Sequence, residues 1–115
     1  LNGSWYKLTS KPETFTEDPI GILDVTILQN NILDAILGIN DPRTDARIDF
    51  VGGIRGLQVL ADRVDSGQFA AAFSLYAVTI DQLFAIADSG NVMPPKSTWF
   101  EPKLRDGLLT HLIYE

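Results

Sequence analysis

Ile48-Asp49-Phe50-Val51-Gly52-Gly53-Ile54-Arg55-Gly56 is the stretch on which the fold turns. A short apolar run at 48–51 breaks at two glycines. It gives way to Ile54, Leu57, Ala61 and Val64, spaced by threes and fours. A change from an extended run to helical periodicity across a glycine pair reads as strand, turn and helix. Asp65-Ser66-Gly67 stops that helix, and residues 68–78 follow as alanines and aromatics without a clear polar face, the pattern of a buried strand. Strands at 48–51 and 69–78 joined through one helix imply a right-handed crossover and parallel pairing.

Outward from this unit, residues 4–9 (Ser-Trp-Tyr-Lys-Leu-Thr) carry β-favouring side chains and predict a strand ended by Lys11-Pro12, with loop to residue 19. Over 20–37 the apolar positions Ile22, Val25, Leu28, Ile32, Leu33 and Ile36 share one helical face, opposite Asp24, Asn30, Asn31 and Asp34. Gly38 stands where a helix-ending glycine belongs. Residues 40–45 have turn chemistry. Thr79-Ile80-Asp81-Gln82 has capping-box spacing and opens a third helix that runs to Ser89 and stops at Gly90. Asp-Ser-Gly thus recurs at 65–67 and 88–90, but the flanks do not match, so shared helix-stop chemistry explains it better than an internal repeat. A proline-rich irregular segment at 93–105 and a closing strand at 108–114 complete the order β-α-β-α-β-α-loop-β. The expected fold class is α/β (α+β): a two-layer mixed sheet of about four strands with three helices, in a single domain spanning 1–115.

Composition narrows the function. The 115 residues are 45% hydrophobic, enough for one core, and the net charge is −6. An acidic chain repels phosphate backbones and anionic lipid at long range, which argues against nucleic-acid and membrane partners. Any anion it holds needs a local site. Zero Cys excludes thiol catalysis, iron-sulfur clusters and thiolate zinc, and a lone His111 excludes multi-histidine metal sites. No apolar run reaches the roughly 20 residues of a membrane span, and a reducing cytoplasmic setting fits. The chain opens on Leu1 directly into a strand-like pattern, which reads as the cut start of a C-terminal fragment of a longer protein.

Three places offer chemistry. Gly52, Gly53 and Arg55 combine a backbone turn, a helix start and a guanidinium fork, a combination suited to phosphate or carboxylate, although the order matches neither the dinucleotide fingerprint nor the P-loop. The alternative is a plain strand-to-helix turn with Arg55 in solvent. Lys96, Ser97, Thr98 and Lys103 lie in a loop stiffened by Pro94, Pro95 and Pro102, able to hold phosphate at low ordering cost, or else simply a connector whose Trp99 and Phe100 plug the core. Asp41, Asp45 and Asp49, interleaved with Arg43 and Arg47, suggest either Mg²⁺ beside a substrate phosphate or a solvated turn with local ion pairs. His111 alternates with Leu109 and Ile113 and reads as a core or edge residue. One histidine builds no Ser-His-Asp set, so no catalytic residue is assigned.

These motifs carry a resemblance. Gly21-Ile22-Leu23-Asp24-Val25 with Leu28, residues 38–45, residues 48–56, Val64-Asp65-Ser66-Gly67 and residues 93–104 resemble the C-terminal part of the family known as domain of unknown function 1015. The family is bacterial and archaeal and cytosolic. Its N-terminal portion carries an Asp-Gly-His-His-Arg-like motif similar to that of the ParB/sulfiredoxin-related free-serine kinases, and that motif is absent here. The resemblance implies a phosphotransferase acting between serine or phosphoserine and ADP or ATP with Mg²⁺. This chain would then supply phosphate contacts from Gly52, Gly53, Arg55, Lys96, Ser97, Thr98 and Lys103 to a site whose other half lies upstream, and would be inactive alone. The implied partners are that upstream part and a small phosphorylated metabolite. The competing expectation is a non-catalytic structural or interaction module that packs on the catalytic part or forms a homodimer.

Overall fold

Asp18 starts the ordered architecture. Its carboxylate accepts the N–H groups of Ile20 at 3.1 Å and Gly21 at 3.0 Å and the hydroxyl of Thr16. A side chain that bonds backbone two and three residues on makes a local turn. That turn delivers the chain to α1, Asp24–Leu28, which lacks a side-chain cap of its own. The computed structural model describes residues 1 and 3–98.

Helix α1 continues without a break into a π-helical turn, Gln29–Asp34. A π turn holds an extra residue and so rotates everything beyond it by about 100°. The effect on the expected apolar face is direct: Leu33 is buried, while Ile36, expected on the same face, is 72% exposed; before the turn it is Leu23, and not the expected Ile22, that is buried. The widened turn is held by side chains, with Gln29 donating to the Ile39 carbonyl at 2.8 Å and Asn31 to the Thr14 carbonyl at 3.0 Å. Gly38, at φ 64, follows as expected, and the Ile39 N–H reaches back to the Leu33 carbonyl at 2.7 Å.

Further along, a 3-10 turn, Gly53–Arg55, runs into α2, Gly56–Asp65, and α3 covers Ile80–Asp88. The capping box on α3 is present: Thr79 Oγ1 accepts the Gln82 N–H at 3.2 Å, and Gln82 Oε1 accepts the Thr79 N–H at 3.0 Å. Both Asp-Ser-Gly stops work alike. The Ser66 and Ser89 hydroxyls each donate to the carbonyl three residues back, and Gly67 and Gly90 take the left-handed backbone that lets the chain turn away.

The expected sheet is overturned. Among the described residues there is no β-strand, so the α/β (α+β) assignment with its four-stranded mixed sheet and parallel crossover does not hold; the architecture is helices joined by coil. The segments read as strands at 4–9, 48–51 and 69–78 are helix-free, but none pairs with another. The fourth, 108–114, lies outside the described residues, as do Trp99, Phe100, Lys103 and His111. Alternation and β-favouring side chains fix a local preference only; a strand exists when a second edge takes up its N–H and C=O groups. Here most hydrogen bonds are local, and among the described residues none spans more than the 17 between Asn31 and Thr14.

The core is correspondingly small. Leu23, Leu33, Ile39 and Ile86 are the buried apolar side chains among the described residues. The radius of gyration is 17.3 Å, where a compact chain of this length has about 13 Å. The accessible surface is 9705 Å², against about 6200 Å² for a compact protein of this mass.

Candidate functional site

At the glycine turn, Gly52 is extended at φ −61 and ψ 137, the 3-10 turn follows, and Gly56 at φ 73 redirects the chain into α2. A Cβ placed on Gly53 would meet nothing within 4 Å. No steric need of the fold therefore explains a glycine there; what it leaves is open backbone. The Gly53 and Ile54 N–H groups have no acceptor among the described residues, and neither does the exposed Arg55 guanidinium. This is a donor set of the right kind for an anion. Its surroundings are apolar, however: Ile54 is 75% exposed, Leu57 57% and Phe50 42%.

In the proline-rich loop, Lys96 is exposed and sits at φ 60, a left-handed conformation uncommon for a side-chain-bearing residue. Ser97 is half-buried, and its hydroxyl is committed to the Pro94 carbonyl at 2.5 Å. Thr98 is exposed. Among the described residues no hydrogen bond or ion pair joins this loop to the Gly52–Arg55 turn, and Lys103 lies outside them.

The acidic cluster is taken up by arginines. Arg43 forks onto Asp41 with contacts of 2.8 and 2.9 Å, and Arg47 onto Asp45 with 2.6 and 3.0 Å. Asp49 accepts from Arg63 at 2.5 Å and from the Phe50 N–H at 2.8 Å. Charge-assisted bonds to the ionised form favour it. The side-chain hydrogen bonds from Arg43 and Arg47 hold the Asp41 and Asp45 carboxyls down at about 2, and Arg63 lowers that of Asp49. Mg²⁺ at Asp41, Asp45 and Asp49 would have to displace a guanidinium from each, and among the described residues no group of three potential ligands converges.

Those arginines do mechanical work. Arg47 also donates to the Leu37 carbonyl at 3.0 Å and the Gly38 carbonyl at 3.1 Å, tying the 45–47 turn to the end of the first helical body. Arg63 links α2 to Asp49 and lies 5.6 Å from the centre of the Phe69 ring. Neither role is evident from composition. The one signal in the sequence is Asp-x-Arg, repeated at 41–43 and 45–47, a spacing that lets a guanidinium fold back on the preceding carboxylate.

No family model, curated protein or solved structure matches this chain. No helix among the described residues is long and apolar enough to cross a membrane.

Proposed function

We propose that this chain is a non-catalytic interaction module whose apolar face is covered by a protein partner. One observation carries the reading: the large side chains that a core would take are left outside. Phe50, Ile54 and Leu57 are exposed around the glycine turn, and Leu75, Tyr76, Ile80 and Phe84 around the start of α3. Exposed apolar patches beyond a few hundred Å² mark interaction surfaces. Light scattering across a concentration series, paired with an apolar-surface dye, tests this. Self-association or strong dye binding, reduced by Ile54→Asp with Leu57→Asp, is expected. A monomer that excludes the dye would end the proposal.

A second reading has its own support in Arg55, whose guanidinium has no hydrogen-bond acceptor among the described residues, the open backbone at Gly53 and the left-handed Lys96. In it the chain lends phosphate contacts to a cytoplasmic serine or phosphoserine phosphotransferase, as the family resemblance implies, with ADP or ATP and Mg²⁺ held chiefly by residues outside this chain. Phosphoryl transfer rests on positioning and charge stabilisation, which such donors supply. Ligand that binds the folded state raises its apparent stability. Thermal shift with phosphoserine, ADP and ATP is therefore expected to raise the midpoint of the protein, and Arg55→Ala with Lys96→Ala to abolish the rise. No shift with any of the three removes this reading.

A further inference from the structure

Residues 71–79 (Ala-Ala-Phe-Ser-Leu-Tyr-Ala-Val-Thr) run without a turn, a bend or a main-chain hydrogen bond to any described residue, apart from the capping box that Thr79 makes and the Leu83 N–H that its carbonyl accepts at 3.1 Å. Both ends are fixed. On one side the Phe69 N–H bonds the Arg63 carbonyl at 3.1 Å and its ring faces Arg63; on the other the capping box starts α3. Natural sheet edges are protected by charge, proline, glycine or a bulge. This stretch has no charged residue, no proline and no glycine. Its Phe73, Tyr76, Val78 and Thr79 are β-favouring, and its backbone from 71 to 78 is unpaired among the described residues.

Resting on the interaction-module reading, we infer that residues 71–79 pair antiparallel with the same residues of a second copy, with Leu75 on the two-fold axis. Side-chain size selects the occupant. About that axis Phe73 stands opposite Ala77, Tyr76 opposite Ser74 and Val78 opposite Ala72, so each large side chain off the axis meets a small one, and Leu75 meets its own copy on the axis. Parallel in-register pairing would instead set Phe73 on Phe73 and Tyr76 on Tyr76. Directly opposed side chains lie about 5 Å apart, close enough for this match to matter. Charge agrees. The chain carries −6, yet this segment brings no like charges together. Two strands alone are marginal. Ile80 and Phe84 on α3, 69% and 60% exposed, add apolar area beside the pair. A two-fold contact closes, so the product is a dimer and not a fibre.

The test measures mass by light scattering and amide exchange by mass spectrometry on the whole chain, with Leu75→Lys, Leu75→Glu and Leu75→Pro variants. These changes fall where no helix or hydrogen bond is lost, and circular dichroism checks that helix content holds. The expected result is twice the 12.7 kDa chain mass, exchange slowed at least tenfold within 71–79, and dissociation at least tenfold easier for each variant. An equimolar mixture of the Lys and Glu variants is expected to recover the dimer, since opposite charges then meet on the axis. A dimer that survives all three variants overturns this inference and leaves the module reading standing, as does a monomer that binds the apolar dye. A monomer that excludes the dye overturns both.

Discussion

Gly21 shows how one position can be fixed by a neighbour. A Cβ there would lie 2.0 Å from Thr16 Oγ1 and 2.4 Å from the Thr16 carbonyl oxygen, against backbone that cannot swing aside. Gly21→Ala is expected to destabilise by about 1–3 kcal/mol, whereas Gly53→Ala, in open space, should be close to neutral; urea unfolding of both gives the comparison. The same turn depends on ionisation. Asp18 is lowered by the Thr16 hydroxyl and then by the Gly21 and Ile20 N–H groups, and Asp41 and Asp45 stand at about 2 against a normal 3.8. A carboxyl whose pKa is depressed on folding adds stability that is complete above its unfolded value and is lost as pH falls through the folded one. The turn at 41–47 should therefore hold at pH 5 and be released between about pH 4 and 2, and the turn at 18–21 should also loosen as acid protonates Asp18. Carboxyl chemical shifts titrated by NMR would show midpoints near the unfolded value if these bonds were absent in solution.

Among elements, the helix ends were the most legible part of the chain. Thr79 with Gln82, Gly38, Gly67 and Gly90 each do what the sequence predicts, because a cap is made by residues within a few positions of one another. At α3 the stop is complete: the Asn91 N–H reaches the Ile86 carbonyl at 3.2 Å and Gly90 that of Ala87 at 3.0 Å. Thr79→Ala should cost about 1 kcal/mol and Gly90→Ala a similar amount through its φ of 71; loss of helical circular dichroism at fixed urea reads both, and no change in either would contradict the caps. What failed was non-local. The sequence of 69–78 shows that it suits a sheet but not which edge it meets, and the extra residue of the π turn, which throws Ile36 off the helix face, leaves no mark beyond Asn30-Asn31. The candidate site shared this limit: Gly53 and Arg55 are open, which an anion site and a plain solvated turn both allow, while Ser97 is spent on Pro94 and the aspartates on arginines.

For the whole molecule, the exposed apolar side chains carry little of the chain's own stability. Ile54→Asp should change the unfolding free energy by less than about 0.5 kcal/mol, the range of surface substitutions, while weakening association; a large loss of stability would mean that Ile54 is packed in solution. The local hydrogen bonding has a separate consequence. Among the described residues a bond to a residue at most 17 positions away closes only a small loop, so little loop-closure entropy ties one helix to the next. Such a chain does not melt all at once. Calorimetry of the isolated monomer should give a broad endotherm whose van't Hoff enthalpy falls below the calorimetric one, and a single midpoint would then describe no part of it.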